Sequence, residues 1–183
     1  VRRVLDALRG SKVVKGITLA GPEASELATD ASLSAMVEAG EFDWRAPDAS
    51  PSTSAYNAMQ AVDPEQPVLL TTADHPLLTS EIVDAFGRQS LADDVDVAVG
   101  LAPHALVAEA YPGIKKTVLR FSDGDFCGCN LFAFLTPRAR RAADFWRQVE
   151  NQRKNPLRVI RVLGMMAVLR YLLGKLTLAE KDF

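Results

Sequence analysis

The chain has 183 residues, 48% of them hydrophobic, and a formal net charge of −2. That length supports one well-cored α/β domain and does not require two. The near-balanced charge removes any global electrostatic argument for nucleic acid or an anionic membrane as partner. The two cysteines, Cys127 and Cys129, are too few for a disulfide framework or a four-ligand zinc site. They read as small buried residues in a reducing cytoplasm.

Residues 1–10 carry no apolar signal-peptide core. The chain opens at Val1 inside an apparent helix, VRRVLDALRG, with Gly10 as its stop. We therefore expect an upstream segment beyond the sequence given. The β-branched run VVKGITLAG (13–21) predicts a strand, and a helix is expected over 23–38. EFDWRAPD holds a short strand. SPSTSAYNAMQAV reads as a loop opening into a helix, with Ser52, Thr53 or Ser54 as N-cap.

PVLLTTAD (67–74) is a near-continuous apolar run, the mark of a strand buried on both faces. A helix capped by Thr79 or Ser80 follows, with Glu81 in its first turn. VDVAVGLA (95–102) predicts another strand. KTVLRFSDGDFCGCNLFAF predicts a hairpin turning at Ser122-Asp123-Gly124. Thr136-Pro137 marks the start of a helix, PRARRAADFWRQVENQ, and Asn155-Pro156 repeats that signal. The apolar stretch 157–178 is interrupted by Arg158, Arg161, Arg170 and Lys175, so it reads as core helix rather than a membrane span. Peripheral contact with a membrane stays open as the minority reading.

Alternating strands and helices imply a single domain over 1–183. Its sheet is expected to be mostly parallel and doubly wound, Rossmann-like, with an antiparallel hairpin. In such sheets ligands bind at the carboxyl ends of the strands. Asp74 sits there, before a Pro-bearing turn. It is suited to a hard cation such as Mg²⁺, and equally to capping the turn before Pro76.

The segment VLLTTADHPLLT resembles a stretch of the MobA-like nucleotidyltransferases, in which Ala73, Asp74, Pro76 and Leu77 match. The resemblance implies a glycosyltransferase-A-type fold and a Mg²⁺-binding role for Asp74, with Ala73 beside the nucleotide. SPSTSAYNAM is similar to the family's small-residue segment at a helix start, which implies nucleotide contacts from Ser52, Thr53 and Ser54. DGDFCGCNLFAF resembles the strand presenting an acceptor-side or metal-side Asn, here Asn130. Lys115 and Lys116, with Arg120 nearby, could neutralise an acceptor phosphate, or form an ordinary solvated loop.

The cluster Arg138, Arg140 and Arg141 reads as a solvated face, His104 as structural, and Trp44 and Trp146 as packing residues. The family's Gly-rich loop (L-A-G-G-x-x-x-R) and its acidic end motif (near D-v-D-t-P-e-D) are missing, so we expect truncation at both ends. The expected activity is metal-dependent transfer of an NMP from an NTP to a phosphorylated small-molecule acceptor, with pyrophosphate released and no nucleic acid involved. A glycosyltransferase is disfavoured because Asp74-His75-Pro76 lacks a second acid, and the D-x-D at Asp123-Gly124-Asp125 falls in a turn. A non-catalytic nucleotide-binding domain stays open.

Overall fold

A computed structural model describes residues 1–152 of the chain. Helix α1, Arg2–Arg9, buries Val4, Leu5 and Ala7 and ends at Gly10, as its apolar spacing requires. Arg9 lies in its last turn, where the helix dipole favours a cation, and pairs with Glu41 at 2.8 Å. Leu5 is 1% exposed and centres a core with Leu19, Leu27, Leu33 and Phe42. Burying such a leucine is worth about 1.5–3 kcal/mol.

Strand β1 is only Thr18–Ala20, shorter than the β-branched run predicted. The reason is local: the Val13 and Val14 amides both donate to the Ser11 hydroxyl, which takes them out of an extended ladder. The helix expected over 23–38 is two helices, α2 (Ala24–Thr29) and α3 (Ala31–Glu38). Asp30 breaks them apart. Its backbone leaves the helical region, and its carboxylate accepts from the Ser32 and Leu33 amides as the N-cap of α3. Arg2 donates to the same carboxylate at 2.6 and 2.8 Å. The Leu33 amide first, then Arg2, hold the Asp30 carboxyl below its ordinary value.

Strand β2, Asp43–Arg45, pairs in parallel with β1, Leu19 opposite Trp44. Trp44 packs on the first core, as expected. Helix α4, Pro51–Gln60, starts one turn earlier than predicted: its N-cap is Ser50, not Ser52, Thr53 or Ser54, with Pro51 at the first helical position. Strand β3 covers Val68–Thr71 and is half-buried along its length, not fully buried as the apolar run implied. Helix α5, Ser80–Ala92, begins at the Thr79 cap with Glu81 in its first turn, as predicted. Its Gly87 approaches Val13 so closely that a Cβ there would lie 2.9 Å from Val13 Cγ2.

Strand β4, Val97–Pro103, runs into a short helix, α6 (His104–Ala110), that the sequence reading did not contain. Strands β5 (Leu119–Phe121) and β6 (Gly124–Phe134) form the predicted antiparallel hairpin, with Phe121 opposite Gly124. The D-x-D therefore lies at the turn of that hairpin. Helix α7, Ala139–Gln152, starts beyond the predicted cap. The Thr136 hydroxyl donates to Asp96 instead of capping the helix. Arg140 is not on a solvated face either. It donates to the carbonyls of Met59, Asp63 and Gln66, at and just beyond the end of α4, where the helix dipole favours a cation. Trp146 is 61% exposed, against the packing role expected of it, although its ring lies 6.5 Å from that of Phe132.

The fold is mixed α/β. One sheet is the β1–β2 pair; the other is ordered β3-β6-β4, with β5 on β6. The described residues divide into two compact units, Val1–Ala98 with Phe132–Arg147, and Val99–Leu131 with the end of α7. In the first unit a second core joins Met59, Phe134, Ala139 and Ala143. The start signal at Asn155-Pro156 and the apolar stretch 157–178 lie outside the described residues. Among those described, no helix is long and apolar enough to cross a membrane.

Candidate nucleotide site

Asp74 follows the carboxyl end of β3 in a turn and is exposed, together with Ala73 and Pro76. These three residues and Val1, Arg2, Arg3 and Val4 line a shallow pocket of about 290 Å³. The Asp74 carboxylate has no hydrogen-bond or ion-pair partner among the described residues. It therefore does not cap the turn before Pro76, the structural role the sequence left open. Arg3, exposed in the first turn of α1, is equally free of partners among them, whereas Arg2 is engaged by Asp30. A free carboxylate and a free guanidinium on one pocket suit a ligand carrying both metal-bridged and bare phosphate oxygens.

No group of three or more acidic, His or Cys side chains comes together among the described residues. Asp74 alone could supply one oxygen ligand to a hard cation. Mg²⁺ is commonly held by one or two carboxylates, with water and substrate phosphates completing its shell.

A separate, larger pocket of about 400 Å³ opens at the carboxyl end of β2. It is lined by Trp44, Arg45, Ala46, Asp48, Ser54, Asn57 and Ala58. Of the three small residues predicted to meet the nucleotide, the structure brings only Ser54 to this pocket. Ser54 is buried, and its Oγ accepts the Asp48 amide at 2.7 Å. Ser52 and Thr53 instead share hydroxyl hydrogen bonds with Ser50. The Thr53 amide is already taken by the Ser50 side chain at 3.2 Å, so that N–H is not open to a ligand. Trp44 forms a fixed wall, its indole N–H donating to the Pro22 carbonyl at 3.1 Å.

The sequence reading missed Arg45, Asp48 and Asn57. The signal that could have found Arg45 and Asp48 is their place just past a short strand, at the edge where ligands bind in parallel sheets.

The remaining predicted residues belong to the second unit. Lys115 and Lys116 are exposed on the loop before β5. Asn130 is exposed within β6 and holds a left-handed backbone, φ 52°. Its side chain has no hydrogen-bond partner among the described residues. A non-glycine residue in that region is uncommon, and such strain collects at functional sites. Nearby, Cys127 is buried, and burial first, then Cys127, pushes the Cys129 thiol up.

No curated protein matches the chain. Among solved structures it is similar to one from Thermus thermophilus described as a hypothetical transferase, with 26% identity and a TM-score of 0.62. The match covers 90% of this chain and 84% of that one. Residues 1–121 match the MobA-like NTP transferase domain. This span holds α1 through β5, with both pockets and Asp74, and by it the chain belongs to the family of MobA-like NTP transferase domains.

Proposed function

We propose that the protein is a metal-dependent nucleotidyltransferase that moves an NMP from an NTP to a phosphorylated small-molecule acceptor. The observation that carries this reading is Asp74, a carboxylate just past the carboxyl end of β3 with no partner among the described residues, within a chain of the NTP transferase family. An acceptor oxygen forms a bond to the α-phosphorus. The bond from that phosphorus to the bridging oxygen breaks, and its electron pair leaves with pyrophosphate. The protein contributes positioning and charge rather than a covalent intermediate.

Asp74 would hold Mg²⁺, which when bound would supply positive charge against the phosphates. Arg3 offsets charge on the non-bridging phosphate oxygens beside Asp74. Ser54 borders the nucleoside, and Ala73 leaves room beside the phosphates. In the second unit, Lys115 and Lys116 supply cations suited to a phosphorylated acceptor, and Asn130 an amide. We also read the mixed sheet as the doubly wound, glycosyltransferase-A-type arrangement of this family.

The test is pyrophosphate release with Mg²⁺, each of the four NTPs, and a panel of phosphorylated sugars, alcohols and cofactor precursors. Acceptor-dependent release that falls by about a hundredfold or more in Asp74→Asn, with melting unchanged, is the expected result. Full turnover in that variant removes the metal role.

A further inference from the structure

Helix α6 has seven residues and buries none of its side chains. A helix that short is marginal in water unless it packs on something. Instead it and the loop after it leave apolar surface open: Leu106 is 61% exposed, Tyr111 43% and Ile114 57%. Lys115 and Lys116 follow directly, and residues 108–117 are exposed without a break. We propose that this surface, α6 with the loop as far as Lys116, docks on an anionic lipid bilayer. The proposal goes beyond the nucleotidyltransferase reading and does not depend on it.

The apolar residues are neighbours in space as well as in sequence. The Tyr111 amide donates to the Val107 carbonyl at 3.0 Å, and the Ile114 amide to the Tyr111 carbonyl at 3.3 Å. Each bond closes one turn, and residues a turn apart stand about 5–6 Å from each other. Half-buried Val107, then Tyr111, then Ile114 therefore succeed one another at turn spacing, with Leu106 next to the first. Apolar side chains gathered at a surface in this way mark a docking site, whereas single ones do not.

Charge selects the partner. Between His104 and Arg120 the only acid is Glu109. Arg120 stands opposite Asp125 in the hairpin, and Asp123 lies at its tip, so Lys115 and Lys116 are the cations left for a partner. Both ammonium groups suit any phosphate anion, and the apolar side chains beside them favour one carried by a lipid. Each lysine near an anionic leaflet contributes about 1 kcal/mol, its stem lying along apolar surface. The Tyr111 ring suits the headgroup boundary, being apolar with one polar end. A second copy docked through the same face about a two-fold axis would instead bring the lysines of both copies together. The sequence repeats the pairing of apolar residues with cations further on: between Glu150 and Glu180 it has six Lys or Arg and no acid. Positive charge is thus concentrated rather than spread over a chain whose net charge is −2.

Flotation of the full chain with vesicles tests this, using phosphatidylcholine alone and phosphatidylcholine mixed with phosphatidylglycerol. The protein is expected to bind the mixed vesicles about tenfold more tightly than the neutral ones, and to be released by salt. Leu106→Asn combined with Ile114→Asn should weaken that binding about tenfold or more, because two apolar side chains no longer leave water. Lys115→Gln combined with Lys116→Gln should remove the preference for the anionic vesicles. All four positions are exposed, and circular dichroism checks that both variants fold. No binding to the mixed vesicles, equal binding to both kinds, or undiminished binding in the Leu106 and Ile114 variant overturns the proposal. So does release by a soluble phosphorylated sugar at constant ionic strength, which would give the lysines to a free phosphate. A dimer that the Leu106 and Ile114 variant dissociates would overturn it too, by giving the surface to a second copy.

Discussion

The Ser11 hydroxyl donates to Asp84 Oδ1 at 2.6 Å, joining the turn after α1 to the middle of α5 across 73 positions of sequence. The Lys12 amide reaches the same oxygen at 2.8 Å, and Arg88 lies 3.4 Å from the other. The Ser11 hydrogen bond first, then the neighbouring amides and Arg88, hold the Asp84 carboxyl below its ordinary value. A depressed carboxylate contributes stability that is complete at neutral pH and is lost as pH falls through its folded value. Ser11→Ala is therefore expected to melt lower than the parent at pH 7. The gap should narrow in acid, below the usual aspartate pKa of about 3.9. Thermal melts over a pH series check it; a gap that stays constant into acid refutes the linkage.

Gly87 and Val13 make a second tie between the same segments. A methyl at Gly87 meets Val13 Cγ2 at 2.9 Å, and overpacking of that kind costs about 1–3 kcal/mol. Alanine's better helix propensity returns roughly 1 kcal/mol, so Gly87→Ala should be modestly destabilised. Adding Val13→Ala removes the clash. Urea denaturation of the four members of this cycle should give a favourable coupling between the two substitutions. Strict additivity would mean that the segments part without cost.

Arg140 binds three carbonyls at and beyond the end of α4. Arg140→Ala strips partners from those groups, and we expect a loss of about 1–3 kcal/mol in urea denaturation. Arg140→Lys should recover only part of it, because an ammonium cannot spread donors over three acceptors as the planar guanidinium does. Complete recovery by lysine would show that charge at the helix end accounts for the contact.

Asn130 tests whether its left-handed backbone serves chemistry. Glycine takes φ 52° without a Cβ penalty, so Asn130→Gly should change stability by less than about 1 kcal/mol. Turnover in the pyrophosphate assay should nevertheless fall, because the amide is gone. A variant that melts as the parent does and turns over as fast would leave the conformation a matter of strand geometry alone.

The turn at Asp74 was legible because an apolar run ending in an acid and a proline is a local pattern. So was the hairpin, whose Ser-Asp-Gly turn is written in consecutive residues. The break at Asp30 could have been read, since aspartate is poor inside a helix and good at its start. Helix α6 was hidden because it buries no side chain, and so lacks the apolar period that marks a helix. Arg45, Asp48 and Asn57 were out of reach for another reason. What singles them out is convergence on one pocket, and single-sequence spacing holds no record of convergence. The same holds for Arg140, whose acceptors lie more than 70 positions away.

Asp30 does two things at once: it starts α3, and it binds Arg2 of α1. Across relatives, this position should drift under two constraints that do not coincide. The helix start accepts Asn, Ser or Thr in its place, but the partner guanidinium accepts only an acid. Where position 30 keeps its carboxylate, position 2 is free to hold arginine; where it becomes a neutral cap, arginine at position 2 loses its reason to persist. The two positions are expected to change together in descent, although neither needs to touch a nucleotide.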